Sequence, residues 1–235
     1  VSLIALHFAK AAKRYDDIAQ VQPRVAAALA ARLGGAPRRI LEIGCGTGGL
    51  SQHLARLFPQ AELVLTDISA EMLEICEARL GGRGRFLRMD GQAPDAGLGR
   101  FELIVSSLAM QWFEDLPASL ERLAAMLAPG GEMRFATLGA GTFAEWRAVL
   151  GDAGGLHAYP AASEFPWRAQ IEAEIFVEHH ASGRAFLRAL KAIGAQTPRA
   201  GHRPVSASVM RRALARTANG FDVRYEVLFG SYVKP

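Results

Sequence analysis

The sequence of 235 residues predicts a single α/β domain in which a mostly parallel, seven-stranded sheet carries helices on both faces. Three observations predict it. Half of the residues are hydrophobic, enough to bury the core of one compact unit. Short apolar strands alternate with amphipathic helices over residues 38–150. A glycine-rich loop follows the first of these strands, where such sheets bind ligands.

The elements follow in chain order. Residues 1–35 are rich in alanine and predict a helical leader of one or two helices, with Pro23 in a first turn. Residues 38–150 form the core of the predicted domain. Its predicted strands are 40–43, 62–66, 85–88, 102–106 and 131–137, and its predicted helices are 49–58, 70–79 and 117–127.

The last third of the chain completes the predicted sheet. A loop-rich stretch at 151–168 precedes a strand at 173–180, and an apolar strand at 223–233 closes the chain. Between these two strands the sequence predicts an insertion, residues 181–217, with helices at 184–195 and 206–218. We call it the lid insertion, because its position makes it a candidate cover for a substrate.

Composition excludes several classes of function. The formal net charge is +4, but the basic residues are scattered and no nucleic-acid-binding signature is present. No apolar run is long enough to span a bilayer, and the first residues lack a cleavage pattern, so we expect a cytoplasmic protein, monomeric and without a membrane partner. Cys45 and Cys76 form neither a disulfide framework nor a metal-binding pattern, and we expect no metal.

The stretch RILEIGCGTGGL, residues 39–50, allows two interpretations. Gly44, Gly46 and Gly49 fit G-x-G-x-x-G, which holds the pyrophosphate of a dinucleotide. Counted from Glu42, the same loop has glycines at 44, 46 and 48, the pattern of nucleotide-fold methyltransferases. S-adenosylmethionine carries a sulfonium and an ammonium but no phosphate, so a nearby carboxylate would help to bind it.

Carboxylates also end the next two strands. Asp67 lies 25 residues after Glu42 and can accept hydrogen bonds from both ribose hydroxyls, a device that NAD sites share. Asp90 can accept from the adenine amino group or can serve as a turn residue before Gly91. Because no hydride-transfer constellation is evident, S-adenosylmethionine is the favoured cofactor. Its expected contacts are Glu42, Gly44, Cys45, Gly46, Gly48, Asp67, Ile68, Met72, Asp90, Gly91 and Ser107.

The chain resembles the malonyl-[acyl-carrier-protein] O-methyltransferases of biotin synthesis, which have the Rossmann-like class I methyltransferase fold. The resemblance rests on FAKAAKRYDDIAQVQ at 8–22, on Gln111-Trp112 after the fourth strand and on LKAIGA in the lid insertion. The chain departs from the usual family pattern at three places. These are Ala9-Lys10, Ser107-Leu108-Ala109 and Gly194-Ala195-Gln196.

The resemblance implies methyl transfer to the free carboxylate of a malonyl thioester, carried by acyl carrier protein or coenzyme A. A carboxylate is ionised at neutral pH, so we expect residues that position the reactants and no general base. Phe8 and Tyr15, seven residues apart, either close over the cofactor, with Tyr15 donating a hydrogen bond, or only pack the leader on the core. Gln111 and Trp112 are expected to line the cleft where donor and acceptor meet.

Three cations mark the first helix of the lid insertion. Arg184, Arg188 and Lys191 follow a helical spacing, typical of a solvated face. Because the family that the chain resembles also carries cations at positions 188 and 191, this stripe is expected to bind the malonyl carboxylate or an acidic carrier protein. Lys191 is grouped with Tyr15, Gln111 and Trp112 as catalytic. Three alternatives stay open. The first is a related methyltransferase acting on another small carboxylate such as trans-aconitate or on a different nucleophile, the second is a non-catalytic assembly factor of the same fold, and the third is an NAD enzyme.

Overall fold

The structure is a computed structural model that describes residues 3–151, 158–195 and 205–235. Its strands are β1 (Arg39–Ile43), β2 (Glu62–Asp67), β3 (Arg85–Arg88), β4 (Phe101–Ser107), β5 (Leu127–Leu138), β6 (Gln170–His180) and β7 (Phe221–Val233). Its helices are α1 (Leu3–Ala11), α2 (Tyr15–Ile18), α3 (Val21–Ala30), α4 (Gly49–Leu57), α5 (Ala70–Leu80), α6 (Leu116–Ala125), α7 (Ala144–Leu150), α8 (Gly183–Ala192) and α9 (Ala207–Arg216).

These strands form one seven-stranded sheet in the order β3-β2-β1-β4-β5-β7-β6. Strands β1 to β5 are parallel, and β7 runs antiparallel between β5 and β6. The predicted α/β fold, with a mostly parallel sheet, is therefore confirmed. Because β1 pairs with β2 on one side and β4 on the other, the strand order reverses at β1, where a crevice opens at the carboxyl ends of the strands.

The core lies on both faces of the sheet. Leu54 and Cys76, from α4 and α5, belong to the cluster on one face, and Leu120 and Leu123 from α6 belong to the cluster on the other. Strands covered on both faces are apolar throughout rather than alternating, which explains the run of buried residues in β1. Glu42 is the polar exception in that run.

The start of β5 differs from the sequence prediction. The sequence predicts a strand from residue 131, but β5 begins at Leu127 and also includes the LAPGG segment, whose proline and glycines are typical of a turn. The Gly130 N–H donates to the carbonyl of Lys234 (3.0 Å), and the Lys234 N–H donates to the carbonyl of Gly131 (2.9 Å), so the chain after β7 pairs with this segment. A register shift between Phe101 and Leu103 in β4 accommodates the extra residues.

The leader contains three helices, where one or two were predicted. A 3-10 turn at Ala12–Arg14 joins α1 to α2, and α2 ends where Ala19 adopts an extended conformation. In the lid insertion, the Ser182 hydroxyl caps α8 by accepting from the Ala185 N–H (3.2 Å). Residues 196–204, and with them Gln196, lie outside the described part of the chain. None of the helices described is long and apolar enough to cross a bilayer.

Candidate active site

The carboxyl ends of β1 to β4 surround a cavity of about 740 Å³, with the glycine loop after β1 on one side and the leader over it. Most of the predicted site residues line this cavity. They are Phe8, Tyr15, Glu42, Gly44, Cys45, Gly46, Asp67, Ile68, Met72, Asp90, Gly91, Ser107 and Trp112. The strands therefore bring together residues that are up to about 100 positions apart in the sequence.

The backbone of the glycine loop adopts conformations that would be strained for residues other than glycine. Gly44, Gly46 and Gly48 all have positive φ angles, of 69°, 54° and 92°. The side chain of Ala109 lies against Gly44, so a methyl group there would overlap it. Gly48 does not line the cavity: it precedes α4, and a methyl group on it would lie 3.0 Å from the Cys76 sulfur. Gly48 thus lets α4 and α5 approach, whereas Gly49 lines the cavity.

Glu42 places a buried carboxyl at the cavity wall. Its side chain is only 1% exposed, and the Ser51 hydroxyl donates a hydrogen bond to Oε2 (2.6 Å). Burial raises the pKa of Glu42 to about 8, although the Ser51 hydrogen bond acts in the opposite direction. This pKa favours the protonated carboxyl at neutral pH in the ligand-free protein. A cation bound beside it would stabilise the ionised form.

Replacing Glu42 by glutamine is expected to stabilise the ligand-free protein increasingly as the pH rises. An unfolded glutamate ionises near pH 4.5 but the folded one near 8, so the folded state holds the extra proton and wild-type stability falls across this range. Thermal denaturation between about pH 5 and 8.5 measures the effect. The difference in Tm should be small at pH 5 and widen towards 8, while the exposed Glu164→Gln control follows wild type. A difference independent of pH would contradict the assignment.

Asp67 links the second strand to the glycine loop. Its Oδ2 accepts from the Gly46 N–H (2.9 Å) and its Oδ1 accepts from the Ser69 N–H (2.9 Å). Burial raises the pKa of Asp67, and these backbone N–H groups oppose the rise. The carboxylate both holds the loop and lines the cavity, where its remaining lone pairs can accept ribose hydroxyls.

The position of Asp90 is compatible with both interpretations that the sequence left open, a turn residue and a contact of the cofactor. Its Oδ1 accepts from the Gln92 N–H (2.9 Å), which is a turn, and the residue also lines the cavity. Gly91 is required by packing, because a methyl group on it would lie 2.5 Å from Ile43 Cγ2 and 2.9 Å from the Phe113 ring. The backbone can thus pass between two apolar side chains beside the cavity.

Two aromatic side chains of the leader, Phe8 and Tyr15, cover the cavity together with Trp112, and we call these three the aromatic roof. The Phe8 ring lies 6.4 Å from Tyr15 and makes an edge contact with Trp112 at 5.7 Å between ring centroids. The roof is fastened by Asp16, which accepts from the Thr47 hydroxyl (2.7 Å) and forms an ion pair with Arg79 of α5. Asp16, Thr47 and Arg79 are not among the predicted site residues, because no local sequence pattern shows a contact over 31 or 63 residues.

Five of the predicted site residues do not line the cavity. They are Gly48, described above, and Gln111, Arg184, Arg188 and Lys191. Gln111 and Trp112 share a 3-10 turn, in which successive side chains point about 120° apart, so only Trp112 faces the cavity. The amide of Gln111 donates to the Leu108 carbonyl (2.6 Å), where Leu108 has a φ of 52°. The three cations lie on the exposed face of α8.

The cavity fits S-adenosylmethionine better than a dinucleotide. A pyrophosphate in the loop would need free N–H groups, but the Gly46 N–H is already donated to Asp67. It would also lie near the buried Glu42 carboxyl, which repels anions when ionised and suits a sulfonium or an ammonium. Glu42, Asp67 and Asp90 would hold the amino acid end, the ribose and the adenine, respectively.

Comparisons with known proteins bear on the class of protein. A family described as a methyltransferase domain matches residues 41–133. The malonyl-[acyl-carrier protein] O-methyltransferase of Magnetococcus marinus is 45% identical, over 95% of this chain and 89% of that protein. The biotin biosynthesis bifunctional protein BioCD of Bordetella avium is 44% identical over 99% of this chain, which spans 52% of that protein.

Among solved structures, the YcgJ protein of Bacillus subtilis is similar with a TM-score of 0.61. The match covers 90% of this chain and 98% of that one at 12% sequence identity, so it shows the fold alone.

Fold and site together define an enzyme of the class I methyltransferases, which use S-adenosylmethionine. The predicted fold, enzyme class and cofactor are thereby confirmed. The chain belongs to the malonyl-[acyl-carrier-protein] O-methyltransferase family, because it covers most of a relative to which it is 45% identical.

Proposed function

We propose that the protein transfers a methyl group from S-adenosylmethionine to the free carboxylate of a malonyl thioester in biotin synthesis. The observation that carries the proposal is the 45% identity over 95% of this chain and 89% of the relative, which extends well beyond the cofactor-binding core. Acyl carrier protein or coenzyme A carries the malonyl group. The product is a methyl ester whose charge is masked for chain elongation.

The reaction requires the two reactants to be held in alignment and water to be excluded, and the residues of the site are placed to do both. When bound, S-adenosylmethionine supplies an activated methyl group on a sulfonium. The acceptor carboxylate is ionised at neutral pH, so the chain needs to align it and to remove its water. Phe8 and Trp112 exclude water at the roof, and Glu42 and Asp67 hold the cofactor from below. No proton has to be moved by a side chain.

Tyr15 is placed to donate a hydrogen bond inside the cavity. Burial raises the pKa of its hydroxyl, and the neighbouring Asp67 carboxylate raises it further, so the group stays protonated. Tyr15→Phe is expected to lower kcat about tenfold, which corresponds to about 1.4 kcal/mol, a typical value for one hydrogen bond. Steady-state kinetics and titration with S-adenosylhomocysteine measure this, with Tyr232→Phe, beside Trp167 and outside the cavity, as the matched control. Wild-type turnover in Tyr15→Phe would leave the residue with a packing role only.

An assay with labelled S-adenosylmethionine tests the proposed acceptor. Malonyl-carrier protein, malonyl-coenzyme A, free malonate and trans-aconitate are offered at equal concentration. Transfer to the malonyl thioesters in preference to the free acids is the expected result. Preferred labelling of a free acid would replace the proposal with a methyltransferase of small carboxylates.

The same proposal covers the localisation, oligomeric state, partners and domain organisation of the enzyme. We propose a cytoplasmic monomer without nucleic-acid or membrane partners, built as one domain from the leader (1–35), the cofactor-binding core (38–150) and the lid insertion (181–217).

A further inference from the structure

A second cavity, of about 410 Å³, lies between the leader and α8. It is lined by Lys10 and Arg14 of the leader and by Arg188 and Lys191 of α8, and we call it the basic groove. Helical spacing groups the two cations of α8 with Arg184, but only Arg188 and Lys191 reach the groove. The two leader cations were not expected there, since they lie about 180 residues away in sequence.

The charge of the basic groove is uncompensated. Its four cations are exposed and take part in none of the ion pairs or hydrogen bonds that the structure shows. No carboxylate lines the groove in the described part of the chain. Some surface arginines elsewhere are paired, such as Arg38 with Glu102 and Arg168 with Glu121. Gathering four like charges in a groove is unfavourable unless an anion binds between them.

The leader separates the basic groove from the cofactor cavity. Phe8 and Tyr15 line the cofactor cavity, while Lys10, Arg14 and Ile18 line the groove. A helix with its side chains is about 10–12 Å across, so the two cavities lie about one helix width apart. A ligand with its reacting end in one cavity and an anionic group in the other would have to be long and flexible.

We propose that the basic groove binds the phosphate of the phosphopantetheine arm that carries the malonyl thioester. This inference rests on the proposed function, since that arm is present in both coenzyme A and acyl carrier protein. The arm places a phosphate at some distance from the thioester, joined by a flexible chain. Arginine binds phosphate through two parallel N–H groups and lysine binds it as a point charge, and the groove offers both.

The test compares substrates that differ in the phosphate. Wild type, the double variant Arg188→Ala/Lys191→Ala and the control Arg212→Ala are assayed with malonyl-carrier protein, malonyl-coenzyme A and malonyl-pantetheine, which has no phosphate. Arg212 is an exposed cation of α9 outside the groove. The double variant is expected to lose about 10- to 100-fold in kcat/KM with the two phosphate-bearing substrates and less than about twofold with malonyl-pantetheine. Arg212→Ala should follow wild type with all three.

Other outcomes would overturn the inference. Equal losses on all three substrates would mean that the cations act on the malonyl group, and a loss on the carrier protein alone would mean that they contact its surface. Titration with S-adenosylhomocysteine checks that the double variant is folded, and Arg188→Lys/Lys191→Arg should recover most of the loss because it keeps both charges. If wild type methylates none of the three thioesters, the proposed function itself is contradicted. If wild type methylates the thioesters equally well with and without the phosphate, only the inference about the basic groove is contradicted.

Discussion

Asp67→Ala is expected to weaken the binding of S-adenosylhomocysteine by about ten- to a hundredfold, or about 1.5–3 kcal/mol, the usual contribution of a hydrogen bond to a charged group. The change removes the expected acceptor of the ribose hydroxyls. It also leaves the N–H groups of Gly46 and Ser69 without the carboxylate oxygens that lie 2.9 Å away. The loop that seats the cofactor is therefore loosened at the same time. Isothermal titration calorimetry at constant pH measures the loss.

Two further variants separate these effects. Asp67→Asn retains one carbonyl oxygen and should lose less affinity than Asp67→Ala. Asp222→Ala removes an exposed carboxylate that pairs with His179 away from the cavity, and it should bind as wild type does. Unchanged affinity in Asp67→Ala would show that the ribose is held elsewhere.

Gly44→Ala is expected to destabilise the protein by about 2–5 kcal/mol and to abolish cofactor binding. An alanine at a φ of 69° is strained by about 1–2 kcal/mol, and its methyl group would overlap the side chain of Ala109, an overpacking cost of about 1–3 kcal/mol. Relief requires Gly44 or Ala109 to move, and both line the cofactor cavity. For a chain of this size each kcal/mol lowers Tm by about 2–4 °C. Differential scanning calorimetry and ligand titration check both parts.

Gly34→Ala provides the matched control. Gly34 lies between α3 and β1, and a methyl group on it would meet nothing within 4 Å. That variant should change Tm by no more than a few degrees and should bind normally. If Gly44→Ala melted and bound like wild type, the close contact with Ala109 would not constrain the loop.

Much of the fold and the cofactor site could be predicted from the sequence because both depend on local patterns. The apolar run RILEIG predicts a strand covered on both faces, and β1 is such a strand. Glu42 and Asp67 were expected to lie together because each ends, or nearly ends, a parallel strand, and those ends meet at one edge of the sheet. The spacing of glycines indicated the loop, although it could not tell Gly48, which packs against α5, from Gly49, which lines the cavity.

The features that could not be predicted depend on tertiary contacts. Gln111 and Trp112 are neighbours in sequence, and only the 3-10 turn decides which of them faces the cavity. The contacts of Asp16 with Thr47 and Arg79 join segments that no periodicity connects. The Pro-Gly segment before residue 131 has the composition of a turn but is held in β5 by the chain after β7.

Two sides of the cofactor cavity are held by interactions of different strength. The floor is formed by the carboxyl ends of β1 to β4, and the roof by the aromatic side chains of Phe8, Tyr15 and Trp112. The floor belongs to the central strands of a buried sheet, whereas the roof is fastened by one hydroxyl hydrogen bond, aromatic edge contacts and the Asp16–Arg79 pair, whose side chains are 45% and 27% exposed. Exposed ion pairs contribute about 0–1 kcal/mol. Local opening of α1 and α2, with α3 held in place by its buried Val21 and Val25, is therefore expected to cost less free energy than global unfolding. A ligand can be exchanged through the roof while every strand of the sheet stays paired.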